Sequence, residues 1–439
     1  MTLLEISRAA ARLALEAGAR EAAAGAYRAR QVEVGWRDGR VEKVSEATTR
    51  GLGLEVYADG RYASVSTSDL RPEALGRLAA EAVALARALA PDPHRRLPDP
   101  ALYAGRPEVD LELVDPALGA LDVPARRRTA EALEAAARAV PGADRIRSVT
   151  ASVSDSEVES ALVHTNGFEG ARHGTDAWLG VEVSVQDPDG RRPEEYAASG
   201  SRFLAALESP AAVGRRAAER ALARIGAVQG ASAVLPLVVE ARAAGRLVGF
   251  LLGPNSAAAL QQRRSFLEGR LGTAVGSARL DLRDDPLLPR GFGSRLHDGE
   301  GVAARRLAIV EAGVLRHHYV DTYYGRKLGL APTTGRPSNL LLAPGPRSPR
   351  ELLREVGEGV LVTGFLGGNS NGTTGDFSLG IRGFRIRGGE RAEPVGEVNV
   401  SGSHLDLWHR LSLVGDDPYP YSTLRTPTLV LDGVQVAGA

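Results

Sequence analysis

Apolar residues recur at Leu3, Ile6, Ala10, Leu13, Ala14 and Ala17, the three-to-four-residue spacing of a helix with one buried stripe, and Gly18 offers its stop. From Tyr27 the period changes to two. Val32, Val34 and Trp36 alternate with polar residues before a turn at Asp38-Gly39. Val41 and Val44 follow, then Leu52, Leu54 and Val56, a second turn at Asp59-Gly60, and the run Tyr62, Ser64, Ser66. Asp-Gly between alternating runs is a strong hairpin signal, because the tightest hairpin turns need positive φ at both central residues. The pattern predicts an antiparallel meander. Helical spacing returns over 71–89, with Leu75, Leu78, Ala82, Leu85 and Leu89 as the stripe and Ser68 or Asp69 as N-cap.

Four prolines between Ala90 and Pro100 mark a linker, which closes a first α+β unit over residues 1–98. A second unit, residues 101–227, opens with a helix over 124–140. Strands over 146–153 and 158–164, a turn at Thr165-Asn166-Gly167, a strand over 178–186 and a helix over 211–225 complete it. Residues 228–439 form the third unit. Its pattern predicts a buried strand over 234–239, a glycine-dotted helix over 241–252 and a Ser-Pro-initiated helix over 348–356. Short strands are predicted over 305–311, 314–321, 359–366, 383–387, 394–400 and 428–436. The fold class is α+β: N-terminal α/β units with antiparallel sheet, then a β-rich sandwich or barrel-like domain with helices.

Composition narrows the function more than the fold. A chain of 439 residues exceeds what one core normally organises. Lys and Arg number 54, as do Asp and Glu, so no surplus of positive charge exists to displace counterions from nucleic acid or to hold an anionic membrane. Cysteine is absent, which removes disulfides, thiolate metal sites and thiol nucleophiles. Without a basic-then-apolar start or a run of about 18 apolar residues, the expected location is the cytoplasm.

The polar residues of greatest chemical interest lie between Asp284 and Thr334. Asp298, Glu300 and His317, with His318 and Asp321 nearby, could ligate a divalent metal, since imidazole and carboxylate suit zinc or manganese. Adjacent histidines in a strand point to opposite faces, which argues against His317 and His318 sharing one site. His164 and His173 flank the Asn-Gly turn and could meet, yet no third ligand sits at a useful spacing. The run Gly372 to Ser378 is glycine-rich but lacks the lysine of a phosphate-binding loop. No Gly-x-Ser-x-Gly elbow precedes a helix, and no His-Glu-x-x-His helix occurs.

The order of motifs adds a further reading. Asp38-Gly39-Arg40-Val41-Glu42 is followed by Gly51-Leu52-Gly53-Leu54-Glu55-Val56. Further on come Ser265-Phe266-Leu267-Glu268-Gly269-Arg270, Asp284-Asp285-Pro286, Asp298-Gly299-Glu300-Gly301-Val302, Thr374-Gly375-Asp376-Phe377-Ser378 and Val414-Gly415-Asp416-Asp417. In this succession the chain resembles the TldD/PmbA family over nearly its whole length. The TldD branch of that family is a metalloprotease whose His-Glu-x-x-x-His helix binds zinc with a further Cys ligand near the C-terminus. The corresponding helix here, 243–254, holds neither His nor Glu, and Pro418-Tyr419-Pro420-Tyr421 follows Asp417 where the Cys would stand. The resemblance is therefore to the PmbA (TldE) branch. It implies a subunit without zinc of its own, paired with a zinc-bearing TldD-like protease subunit that acts on unfolded peptides; a homodimer is the alternative for the isolated chain. Gly367, Gly368, Asn369, Gly372, Gly375 and Asp376 are the candidates for a backbone-lined peptide surface, because glycine permits close approach. An independent metal-dependent peptidase built on Asp298, Glu300 and His317 is the competing reading.

Overall fold

A computed structural model describes residues 1–438, with every side chain except that of Glu397. Helix α1 (Leu3–Glu16) starts at Thr2, whose hydroxyl accepts from the Glu5 amide while the Glu5 carboxylate accepts from the Thr2 amide at 2.7 Å. This reciprocal cap satisfies two amides that a helix start otherwise leaves unpaired. The predicted meander is present as strands β1 (Glu21–Arg37), β2 (Arg40–Ala58) and β3 (Arg61–Thr67). Both Asp-Gly turns have positive φ at each residue, 47° and 82° at Asp38-Gly39 and 51° and 71° at Asp59-Gly60. Helix α2 (Pro72–Ala88) starts one residue later than the sequence pattern placed it, and neither Ser68 nor Asp69 is its N-cap. Its N-cap is Arg71, whose guanidinium has no acceptor to offer a helix amide and donates instead to the Asp69 carboxylate.

Beyond the proline-rich linker come α3 (Val123–Arg138), β4 (Ile146–His164), β5 (Glu169–Val185), β6 (Glu194–Ser201) and α4 (Pro210–Leu222). The segments read as two strands over 146–153 and 158–164 are one continuous strand. It runs through Ser154-Asp155-Ser156-Glu157, whose polar side chains hid it from a hydrophobic pattern. β4 pairs with β1 over its length, so the first two units build one antiparallel sheet in the order β3-β2-β1-β4-β5-β6. Helices cover one face. Ala22, Ala24 and Ala26 of β1 pack in one core with α1 and α2, and Trp36 of the same strand packs in a second core with α3 and α4.

The third unit is built around a closed ring of five strands. Ala233–Val239 lies between Gly359–Ser370 and Leu429–Gly438; Asp376–Arg387 and Glu390–Ser403 continue the sheet, and the latter pairs with Leu429–Gly438 to close it. The barrel alternative of the sequence reading is thus the observed one. A second sheet of very short strands, Leu282–Asp284, Leu307–Glu311, Val314–Leu315, Leu340–Leu342 and Leu424–Arg425, packs beside it. The strand predicted over 314–321 ends at Leu315, and the chain then leaves the sheet so that Tyr319 can donate to Asp284 at 2.8 Å. Helix α5 (Ala241–Leu252) buries Ala243, Ala244, Leu247, Val248 and Leu251 against the barrel. Among the described residues no helix is long and apolar enough to cross a membrane.

Candidate functional site

With one face of α5 committed to the core, the other carries Arg242, Gly245, Arg246, Gly249 and Phe250, residues at the spacing of one helical stripe. This stripe floors an open groove of about 620 Å³. Trp178 of β5, Tyr196 of β6, Tyr419, Tyr421 and Leu424 form its walls. The two glycines keep the floor low. A Cβ on Gly245 would lie 3.7 Å from the Leu424 carbonyl oxygen, ordinary contact, and one on Gly249 would lie 3.8 Å from Leu424.

The walls are held by charge and ring contacts. Trp178 stacks on Phe292 with ring centres 5.0 Å apart. The Arg242 guanidinium donates to Glu195 at 2.6 Å and lies 4.9 Å over the Tyr196 ring. The Tyr421 hydroxyl donates to Glu208, whose carboxylate also takes two hydrogen bonds from Arg216. These contacts fix aromatic faces around the groove, which suits an extended, partly apolar chain.

Arg246 connects the groove to the glycine-rich ribbon by donating to the Gly367 carbonyl at 3.0 Å. Gly367 and Gly368 form a bulge with φ of 58° and 102°, and a Cβ on Gly368 would come within 2.4 Å of the Ser378 carbonyl oxygen. Gly367, Gly368 and Asn369 are exposed. Gly372 and Gly375 are tied inward, their carbonyls accepting from the amides of Phe266 at 2.9 Å and His404 at 2.8 Å. Asp376 accepts from the Thr374 hydroxyl at 2.6 Å. Strand Gly359–Ser370 pairs with Asp376–Arg387 on one side, but on the other it pairs with Ala233–Val239 only as far as Val362. From Thr363 to Ser370, beside the groove, its outer edge therefore has no partner strand among the described residues.

The residues considered for a metal do not converge. Asp298 accepts from the amides of Glu300 and Val302 with one oxygen and from Thr334 and Gly335 with the other. The Glu300 carboxylate accepts from the amide and hydroxyl of Thr322, at 2.9 and 2.7 Å, and burial raises its pKa to about 7. His317 bonds through Nδ1 to the Ala308 carbonyl at 2.7 Å, whereas His318 bonds to Asn255. His164 is buried against the Tyr103 hydroxyl, while His173 is exposed beside Glu157, so those two histidines do not meet either. Among the described residues, the only grouping of three or more His, Asp or Glu side chains that converge is Glu157, Glu159 and His173 on the sheet.

The groove itself fits a metal poorly: its lining contains two arginines and no His, Cys, Asp or Glu. Sequence reasoning placed the ribbon but missed the groove. Its residues come from three separated segments, and β6, which supplies Tyr196, has no β-branched residue to announce a strand. The alternating Tyr419 and Tyr421 were the available signal.

Three segments match domains of the PmbA/TldA metallopeptidases: residues 22–86 match domain 1, 116–225 the central domain and 232–438 the C-terminal domain. The chain is 30% identical to Metalloprotease PmbA of Escherichia coli O157:H7 over 418 residues, covering 93% of this chain and 90% of that protein. A crystal structure from Bacteroides thetaiotaomicron, described as a candidate modulator of DNA gyrase, superposes with a TM-score of 0.95 at 34% identity. The match covers 99% of this chain and 98% of that one. TldE of Thermococcus kodakarensis superposes with a TM-score of 0.88 at 20% identity over 99% and 100% of the two chains, a likeness of fold.

Proposed function

Because this chain belongs to the PmbA/TldD metallopeptidase family, on its PmbA side, we propose that it is the peptide-holding subunit of a two-subunit protease whose metal chemistry is supplied by a TldD-like partner. The observation that carries this reading is the groove on α5. Its lining offers aromatic faces and arginines but no group able to hold zinc. Fixed cations there would repel a divalent metal rather than bind it.

Peptide holding has its own support. Apart from the Gly367 carbonyl, which Arg246 already occupies, the edge from Thr363 to Ser370, which has no partner strand among the described residues, presents backbone donors and acceptors to which an extended segment can add as a strand. Side chains of such a segment would fall against Tyr196, Phe250 and Tyr421. Unfolded peptides fit because a folded domain cannot offer a free strand. Gly367, Gly368 and Asn369 belong to this edge; Gly372, Gly375 and Asp376 shape the hairpin end instead.

Hydrogen exchange tests the assignment. Addition of an unstructured peptide is expected to slow exchange of amides between Thr363 and Ser370, with little change on β2 or β3. Protection elsewhere, with this edge unaffected, would remove the groove from the account. The competing reading, an independent peptidase using Asp298, Glu300 and His317, gains no support from the geometry, in which each is engaged in separate hydrogen bonds.

A further inference from the structure

A recess lined by Tyr196, Arg242, Tyr419 and Tyr421 continues the groove, and through Arg220, Glu240, Arg242 and Asp417 it shares walls with a half-open cavity of about 240 Å³. The charges around that cavity do not cancel. Glu195 accepts from Arg242 at 2.6 Å and lies 3.2 Å from the Arg382 guanidinium without a hydrogen bond, and Glu240 receives Arg220 as well as Arg242. Three guanidiniums thus share two carboxylates.

Two more arginines line the cavity without a carboxylate partner among the described residues. Arg224 is only 8% exposed, and among the described residues its guanidinium makes one hydrogen bond, a long contact of 3.5 Å to the Val395 carbonyl. Arg391 lies 4.7 Å over the Phe384 ring at the exposed side. The remaining acid, Asp417, is already occupied by the amide and hydroxyl of Thr428, at 2.9 and 2.8 Å. A buried guanidinium without a counter-ion is costly, and its planar fork matches a carboxylate.

We propose that this cavity receives the C-terminal carboxylate of a peptide held in the groove, with Arg224 as its partner and Arg391 at the entrance. The groove then binds the free end of a chain in a fixed direction rather than any internal stretch. Burial lowers the Arg224 pKa, and the Glu195 carboxylate, which makes no direct ion pair with it, offsets this only in part.

This inference rests on the groove being a peptide site, and the test separates the two. Binding of one unstructured, labelled peptide to the full chain is measured by anisotropy in its free-acid and C-terminal amide forms. The free acid is expected to bind about tenfold or more tightly, the scale of one charge-assisted hydrogen bond. Arg224→Met should weaken the acid form to the level of the amide and leave the amide unchanged. It should also fold at least as stably, since an apolar side chain replaces an uncompensated charge; should it fail to fold, Arg391→Ala at the exposed entrance is expected to narrow the acid-to-amide ratio in the same direction. Equal binding of both forms to the wild-type chain would overturn the carboxylate site while leaving the groove reading intact. Binding of neither form would overturn both. Inorganic phosphate that binds in an Arg224-dependent way without competing with the free acid would assign the cavity to a free anion and likewise overturn the inference.

Discussion

At Glu300, burial and hydrogen bonding pull in opposite directions. Desolvation raises its pKa, the two bonds from Thr322 lower it, and the nearby Asp298 and Asp321 raise it again; the outcome is about 7 against an ordinary 4.5. A carboxyl whose folded value is raised stabilises the fold most below its unfolded pKa, and that contribution is lost as the pH climbs through the folded value. The wild-type chain should therefore lose stability between about pH 4.5 and 7, by up to the order of 3 kcal/mol from this group alone. Glu300→Gln, which keeps hydrogen-bonding capacity toward Thr322, should flatten that slope in urea unfolding measured across the same range. An unchanged slope in the variant would mean that Glu300 is already ionised at low pH in the folded chain. This residue is thus a half-buried structural carboxyl that anchors the start of the short helix Thr322–Leu328.

Among elements, α5 shows most clearly how function departs from what stability alone would select. Glycine inside a helix costs about 0.5–1 kcal/mol relative to alanine, and α5 carries two on its exposed stripe. A methyl at Gly245 would meet only ordinary contacts of 3.6 Å or more. Gly245→Ala is therefore expected to stabilise the chain by about 0.5–1 kcal/mol in chemical denaturation while weakening peptide binding by raising the groove floor. A stabilised variant with unchanged peptide affinity would show that the floor does not contact peptide. The elements legible in the sequence were those with strong periodicity or turn chemistry, such as the β1–β2–β3 meander, α1, α5 and the capped helix Pro349–Val356. The strands Leu282–Asp284, Leu340–Leu342 and Leu424–Arg425 of the small sheet were not, because their pairing depends on partners far along the chain. The polar middle of β4 failed for a related reason: its Asp155 is buried against Arg126 at 2.5 Å, a pairing no local pattern announces.

For the whole molecule, the long sheet crosses the linker that the sequence marks between its first two units. The chain change at residues 98–101 is not a change of sheet, since β1 and β4 pair from Ala23–His164 to Arg37–Thr150. The third unit closes into its barrel and sets α5 against β5 and β6, so the groove exists only when residues 178–198, 241–250 and 419–424 are assembled. That is why the family could be read from the succession of motifs while the groove could not. A partner carrying the metal would complete a site to which this chain contributes aromatic walls, a free strand edge and arginines. The decisive measurement is metal content together with peptidase activity, first on the purified chain and then after mixing it with a TldD-like protein. The account predicts metal near zero and no activity for the chain alone, with peptide cleavage appearing in the mixture and unaffected by Glu300→Gln. One equivalent of tightly bound metal with activity in the isolated chain, lost on changing Glu300, would contradict it.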